Sequence, residues 1–168
     1  MSDAGPREKF LEGMSRGATF VSVVTTDGRA GRFGVTVSSL TSVSADGAAP
    51  SLLVCIHHRS PAAVAILQNG KFCANLLHEG QQNIADIFSG RNKDEHAARF
   101  DNVQWSAGAE QQPLLAGVTA AFACNLKASW LWETHHILVG EVTDVHLDEN
   151  PHALLYGQRA YRRAVGLE

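Results

Sequence analysis

Cysteine is scarce in this chain of 168 residues: Cys55, Cys73 and Cys124 stand singly inside apolar segments, with no CxxC pair. An odd, dispersed set excludes a disulfide framework and reads as reduced, packed thiols, which suits the cytoplasm. Charge is also sparse, at 18% of residues with a formal net of −3, and no run of five or six like charges occurs. That argues against a nucleic-acid-binding face. No apolar run reaches membrane-spanning length, and the opening MSDAGPREKF lacks a signal-peptide core. No HExxH, HxH or Cys/His cluster marks a metal site, no GxSxG marks a nucleophile elbow, and neither GxGxxG nor GxxxxGK[ST] marks a nucleotide loop. The pairs His57-His58 and His135-His136 look like ligands, but adjacent strand residues point to opposite faces, so neither pair chelates one ion.

What is present is an apolar fraction of 45%, enough for a core, and a succession of strand patterns. A helix is expected from Pro6 to about Arg16, followed by a strand over Ala18–Thr26. Asp27-Gly28 signals a hairpin turn, and the chain returns through RFGVTVSS. SLLVCIHH after Pro50 is a further strand. Ser60-Pro61 then caps and starts a helix that ends at Gly70. KFCANLL is a strand, QQNIADIF a helix and SGRNKDEHAARF a polar loop. VQWSA, two long strands (VTAAFACNLKASWLW and THHILVGEVTDVHL) and a tail of ALLYG and YRR complete the chain. There is no repeat or linker, so residues 1–168 read as one domain. The strands do not form regular βαβ units, which disfavours a parallel Rossmann sheet and favours a mainly β, antiparallel barrel with peripheral helices. LLVCI and HILVG are apolar on both faces, so their outer face needs a helix or a second subunit, and a homodimer is expected.

The segment Gly34–Ser44, GVTVSSLTSVS, carries six hydroxyls on a strand pattern. Small residues let a flat ligand approach the backbone, and hydroxyls with neighbouring amides suit a phosphate or ring carbonyls. An exposed half-polar edge strand has the same composition.

GVTVSSLTSVS, APSLLVCIHHRS, NGKFCANLL and THHILVGEV, in that order and spacing, resemble the short-chain flavin reductases. These are the NAD(P)H-dependent reductase components of two-component flavin monooxygenases, and the 4-hydroxyphenylacetate hydroxylase reductase type is similar. The resemblance runs from about Arg7 to Arg162. It implies a flavin-binding split barrel, a homodimer of six-stranded antiparallel Greek-key barrels. It further implies FAD or FMN as cofactor and NADH or NADPH as co-substrate. The reduced flavin would diffuse to a partner monooxygenase that hydroxylates an aromatic substrate.

By the same resemblance, Val35, Thr36 and Val37 lie along the isoalloxazine, and Ser38-Ser39 reach the phosphate side. His57, Arg59 and Ser60 hold ribityl phosphate or pyrophosphate at a helix start, where free amides and the dipole favour an anion. Asn75 and Leu76 lie beside the flavin ring, although a hydrogen-bonded strand asparagine is the plain alternative. Arg99-Phe100 match a basic-aromatic pair after the polar loop. His135 is expected at the nicotinamide, chosen over His136 by counting back from Gly140; a one-residue slip reverses the choice. Trp130 and Trp132 either stack on adenine or cover the barrel. The chain departs from the family in having one proline before SLLVCI and Leu40 where phenylalanine is usual. Two other readings remain: a split-barrel protein that retains flavin or haem as a fixed group, and a relative of the pyridoxamine-phosphate oxidases.

Overall fold

The computed structural model describes residues 5–90, 98–149 and 151–167. Helix α1 (Pro6–Arg16) leads into β1 (Thr19–Phe20), β2 (Ser22–Thr26), β3 (Phe33–Val37), β4 (Thr41–Ser44) and β5 (Ser51–His57). Helix α2 (Pro61–Asn69), β6 (Lys71–Leu76), α3 (Gln82–Phe88) and α4 (Ala98–Asp101) follow. Next come the short pair β7 (Trp105–Ala107) and β8 (Pro113–Leu115), the long pair β9 (Ala120–Trp132) and β10 (His135–Leu147), and the terminal pair β11 (Leu154–Gly157) and β12 (Ala160–Arg163). The architecture is mainly β. No helix is long and apolar enough to cross a membrane.

The main sheet has seven strands in the order β3-β2-β6-β9-β10-β5-β4, all antiparallel. Its two end strands, β3 and β4, belong to one stretch of chain. The expected single strand Gly34–Ser44 is therefore two: β3 pairs with β2, β4 pairs with β5, and Ser38–Leu40 make the break. The Ser39 hydroxyl closes the gap, donating to the Cys55 carbonyl at 3.0 Å and accepting from the Cys55 amide at 2.9 Å.

Other elements differ from expectation in similar ways. The strand expected over Ala18–Thr26 is broken at Val21, because β1 leaves the main sheet to pair with β11. Asp27-Gly28 does not make a two-residue turn; it begins a longer β2–β3 connection, in which the Asp27 carboxylate binds Arg32 at 2.7 Å. The end of the expected polar loop is helix α4, and the rest of that loop, residues 91–97, lies outside the described residues.

Two cores follow from the strand alternation. Inside the sheet, Val24, Val54, Ile56, Phe72 and Leu138 pack with Ala63 and Ile66 of α2. The helix starts at Pro61 and stops at Gly70, whose φ of 71° is the left-handed value that a Cβ disfavours. On the other face, Val23, Leu77, Ala85, Phe88, Phe100 and Leu115 pack beneath α3, α4 and β8. Strand β2 is thus buried on both sides, and its Ser22, Val23, Val24, Thr25 and Thr26 are all inaccessible. Burial pushes the thiols of Cys73 and Cys124 up to about 12. All three cysteines are free.

Candidate active site

A cleft of about 600 Å³ opens where β3, the end of β5, the start of α2, the end of α3 and the start of β10 converge. One wall is Gly34 to Ser39, backbone and small side chains without a bulky group. Gly34 is required there for packing, since a Cβ would lie 2.6 Å from the Phe88 ring beneath. His57, Arg59 and Ser60, from the end of β5 and the turn into α2, and His135 of β10 line another part of the cleft, and Arg99 of α4 also lines it. The Arg99 guanidinium comes from a residue only 5% exposed, held on α4 next to Phe100.

Ten of the residues singled out in the sequence line this cleft: Val35, Thr36, Val37, Ser38, Ser39, His57, Arg59, Ser60, Arg99 and His135. Two of the hydroxyls are engaged within the fold. Thr36 donates to the Ala85 carbonyl of α3 at 2.7 Å, and Ser39 bonds both backbone groups of Cys55. Ser38 is the hydroxyl of the strand break without a protein partner among the described residues, and it lines the cleft.

Three residues are placed elsewhere. Asn75 is fully buried; its amide donates to the Val23 carbonyl and the Thr25 hydroxyl, each at 3.1 Å, and its Oδ1 accepts from Leu115 N–H at 2.9 Å. It fastens β8 to the sheet and has no face toward the cleft. Leu76 lines a separate apolar groove with Phe20, Leu40, Phe122 and Val142. Phe100 is 3% exposed, edge-on to Phe88 at 5.1 Å, and supports the cleft floor from below. Trp130 and Trp132 are 57% and 73% exposed near the tip of the β9–β10 hairpin and do not line the cleft.

Register decides between the two histidines. His135 is paired with His57 and Trp132, whereas His136 is paired with the interior residue Ile56. The cleft lining includes His135 and excludes His136.

Sequence reasoning missed Cys55 and the floor formed by Phe88, Ser89 and Gly90. The Ser-Gly pair after an apolar helix was a legible stop signal but carried no hint of a site. It also missed Tyr156 and Tyr161. They line a recess of about 180 Å³ that shares Thr36, Val37, Ser38 and Ser89 with the cleft. The Tyr161 hydroxyl donates to Asp86 of α3 at 2.7 Å.

A wall of backbone and small side chains in a cleft that also holds two arginines is suited to a planar ring carrying phosphate. Comparison with known proteins agrees. The model of the flavin reductase like domain matches residues 14–164. The chain belongs to the flavin reductase family. It is a flavin oxidoreductase. The FMN reductase (NADH) RutF of Stutzerimonas stutzeri strain A1501 is 37% identical over 155 residues, spanning 92% of this chain and 87% of the relative. Among solved structures, BorF, the flavin reductase component of a bacterial two-component tryptophan halogenase, superposes with a TM-score of 0.83. It is 31% identical and the match covers 93% of this chain and 97% of BorF. The NADH:FAD oxidoreductase SgcE6 of Streptomyces globisporus C-1027, in complex with NAD and FAD fragments, gives 0.84 at 26% identity over 98% of both chains.

The cleft also offers Arg59 and the start of the nine-residue helix α2, whose Ser60 hydroxyl makes no capping bond. Arg99 adds a second cation. The volume falls within the range usual for cofactor pockets, roughly 300–1,000 Å³.

Proposed function

We propose that the cleft binds a flavin, FMN or FAD, with its ring against Val35–Val37 and its phosphate toward Arg59, Ser60 and Arg99, and that NADH docks over it beside His135. Flavin supplies the ring that accepts the hydride, and NADH is the substrate that gives it. The protein's part is to bind, orient and exclude water. Val35, Thr36 and Val37 fix the plane of the ring. Arg59 and Arg99 neutralise phosphate charge. His135 orients the nicotinamide at the cleft mouth. The observation that carries the reading is the convergence of the β3 wall of small residues and the two arginines in one cleft.

The proposal extends to a partner. BorF serves a separate enzyme, and the resemblance seen in the sequence is to monooxygenase components. The reduced flavin leaves this chain for a separate cytoplasmic flavin-dependent monooxygenase acting on an aromatic substrate. The protein acts as a homodimer of split barrels. If β3 and β4 count as one closing segment, the ring has six strands. Helix α1 supports the dimer: none of its residues is buried, and Phe10 and Met14 are 65% and 63% exposed. An isolated helix of that length is marginal in water, so its apolar side needs cover. Light scattering showing a monomer at micromolar concentration would refute the dimer.

The deciding experiment is steady-state oxidation of NADH and NADPH against FMN, FAD and riboflavin in turn. NADH oxidation that depends on added flavin is expected. No turnover with any pair refutes the reading.

A further inference from the structure

The mouth of the cleft carries two imidazoles in one register. His57 ends β5, His135 begins β10, and the two are direct antiparallel partners. Directly opposed residues project to the same face of a sheet. Their ring centroids lie 5.1 Å apart at an interplanar angle of 74°, an edge-to-face pair.

Each ring has a hydrogen-bonding contact at one nitrogen. The Arg59 amide donates to His57 Nδ1 at 3.1 Å, and the Thr134 hydroxyl lies 2.9 Å from His135 Nδ1. An N–H aimed at Nδ1 leaves no place for a proton there, because an imidazolium needs both nitrogens as donors. His57 is therefore neutral, with its proton on Nε2. Partial desolvation, then the charges of His58, His135 and Arg59, act in the same direction and lower its pKa from the usual histidine value. The charged or titratable groups shown to act on His57 are His58, His135 and Arg59.

We propose that His57 is a positioning residue: clamped by the Arg59 amide, its ring holds the His135 imidazole at the cleft mouth, where the nicotinamide of NADH docks. His135 is exposed at the start of its strand, and without a neighbour its side chain samples several rotamers. The edge-to-face contact narrows that choice. The inference rests on the role given above to His135 and moves His57 from the phosphate to the nicotinamide side of the site.

The test is a double-mutant cycle on the purified enzyme, using His57→Gln, His57→Phe, His135→Ala and the His57→Gln/His135→Ala pair. The readouts are KM for NADH, kcat, and the flavin Kd from fluorescence quenching. His57→Gln is expected to raise KM for NADH about five-fold and to leave the flavin Kd within about two-fold. His57→Phe, which keeps a ring at the contact, recovers part of that loss. The double variant is expected to be no worse than His135→Ala alone, because both changes remove one unit. Looser flavin binding with unchanged KM in His57→Gln makes His57 a phosphate ligand and overturns the inference. So do multiplying effects in the double variant while His135→Ala alone raises KM; in that case the role of His135 stands. An unchanged KM in His135→Ala overturns both.

Discussion

Replacing Ser39 by alanine tests how the sheet is closed. Its hydroxyl holds the Cys55 carbonyl and amide at 3.0 and 2.9 Å, bridging the break between β3 and β4 to β5. Alanine removes both bonds and fills less space. A buried backbone group left without a partner costs about 1–3 kcal/mol. Cys55 is only half-buried, so water reaches part of the gap and the sum is discounted. The expected loss is about 2 kcal/mol, which for a chain of this size lowers Tm by roughly 4–8 °C. Ser38→Ala is the control, since that hydroxyl has no partner among the described residues; it is expected to stay within about 0.5 kcal/mol. Thermal melts of the flavin-free proteins give Tm, and flavin titration gives Kd. A Tm for Ser39→Ala within about 1 °C of wild type, together with a large loss of flavin affinity, refutes the reasoning and makes Ser39 a ligand.

Three further outcomes are expected. Cys55 lines the cleft while Cys73 and Cys124 are buried, so one thiol should react with a maleimide in the native protein and bound FMN should protect it; mass spectrometry that finds Cys73 or Cys124 labelled first contradicts this. Gly140→Ala would bring a Cβ within 2.5 Å of the Phe72 ring and 2.8 Å of Cys124 Cβ, so a loss of about 1–3 kcal/mol in urea unfolding is expected, against almost none for Gly13→Ala, which meets nothing. The Cys73 and Cys124 thiols sit at about 12 in the folded state against 9.0 as free groups. Unfolding therefore releases protons above pH 9, so stability falls as pH rises from 9 toward 12, by about 1.4 kcal/mol per thiol per pH unit; Cys73→Ala should flatten that decline, and an unchanged slope would contradict the burial argument.

Much of the fold was legible because it is local. Helix α2 shows its cap, its first-turn proline and its terminal glycine in consecutive residues, and its bounds emerge as expected. Strand identity survived because apolar alternation needs only a few neighbours to read. The misreadings came where a partner strand decides. Ala18–Thr26 looks like one strand until β11, over a hundred residues later, draws β1 out of the main sheet. Gly34–Ser44 looks continuous until β2 and β5 claim its two halves.

The same distinction governs the site. Val35–Val37, Ser38, Arg59, Ser60 and His135 line the cleft, and a short motif carries each of them. Asn75 and Ser39 show the limit. Their residue types are right for a ligand, but a side chain with two good protein partners has little left to offer one. Asn75 binds Val23, Thr25 and Leu115, and Ser39 binds both sides of Cys55. No spacing in the sequence reveals those bonds, since they join positions from 16 to 52 residues apart. The hydroxyl-rich segment thus serves two purposes at once. Thr36 and Ser39 fix the wall, and a wall so fixed can present Val35, Val37 and Ser38 to a flat ring at little further cost in entropy. Rigid placement of a few small groups is what hydride transfer between two bound rings requires of the protein.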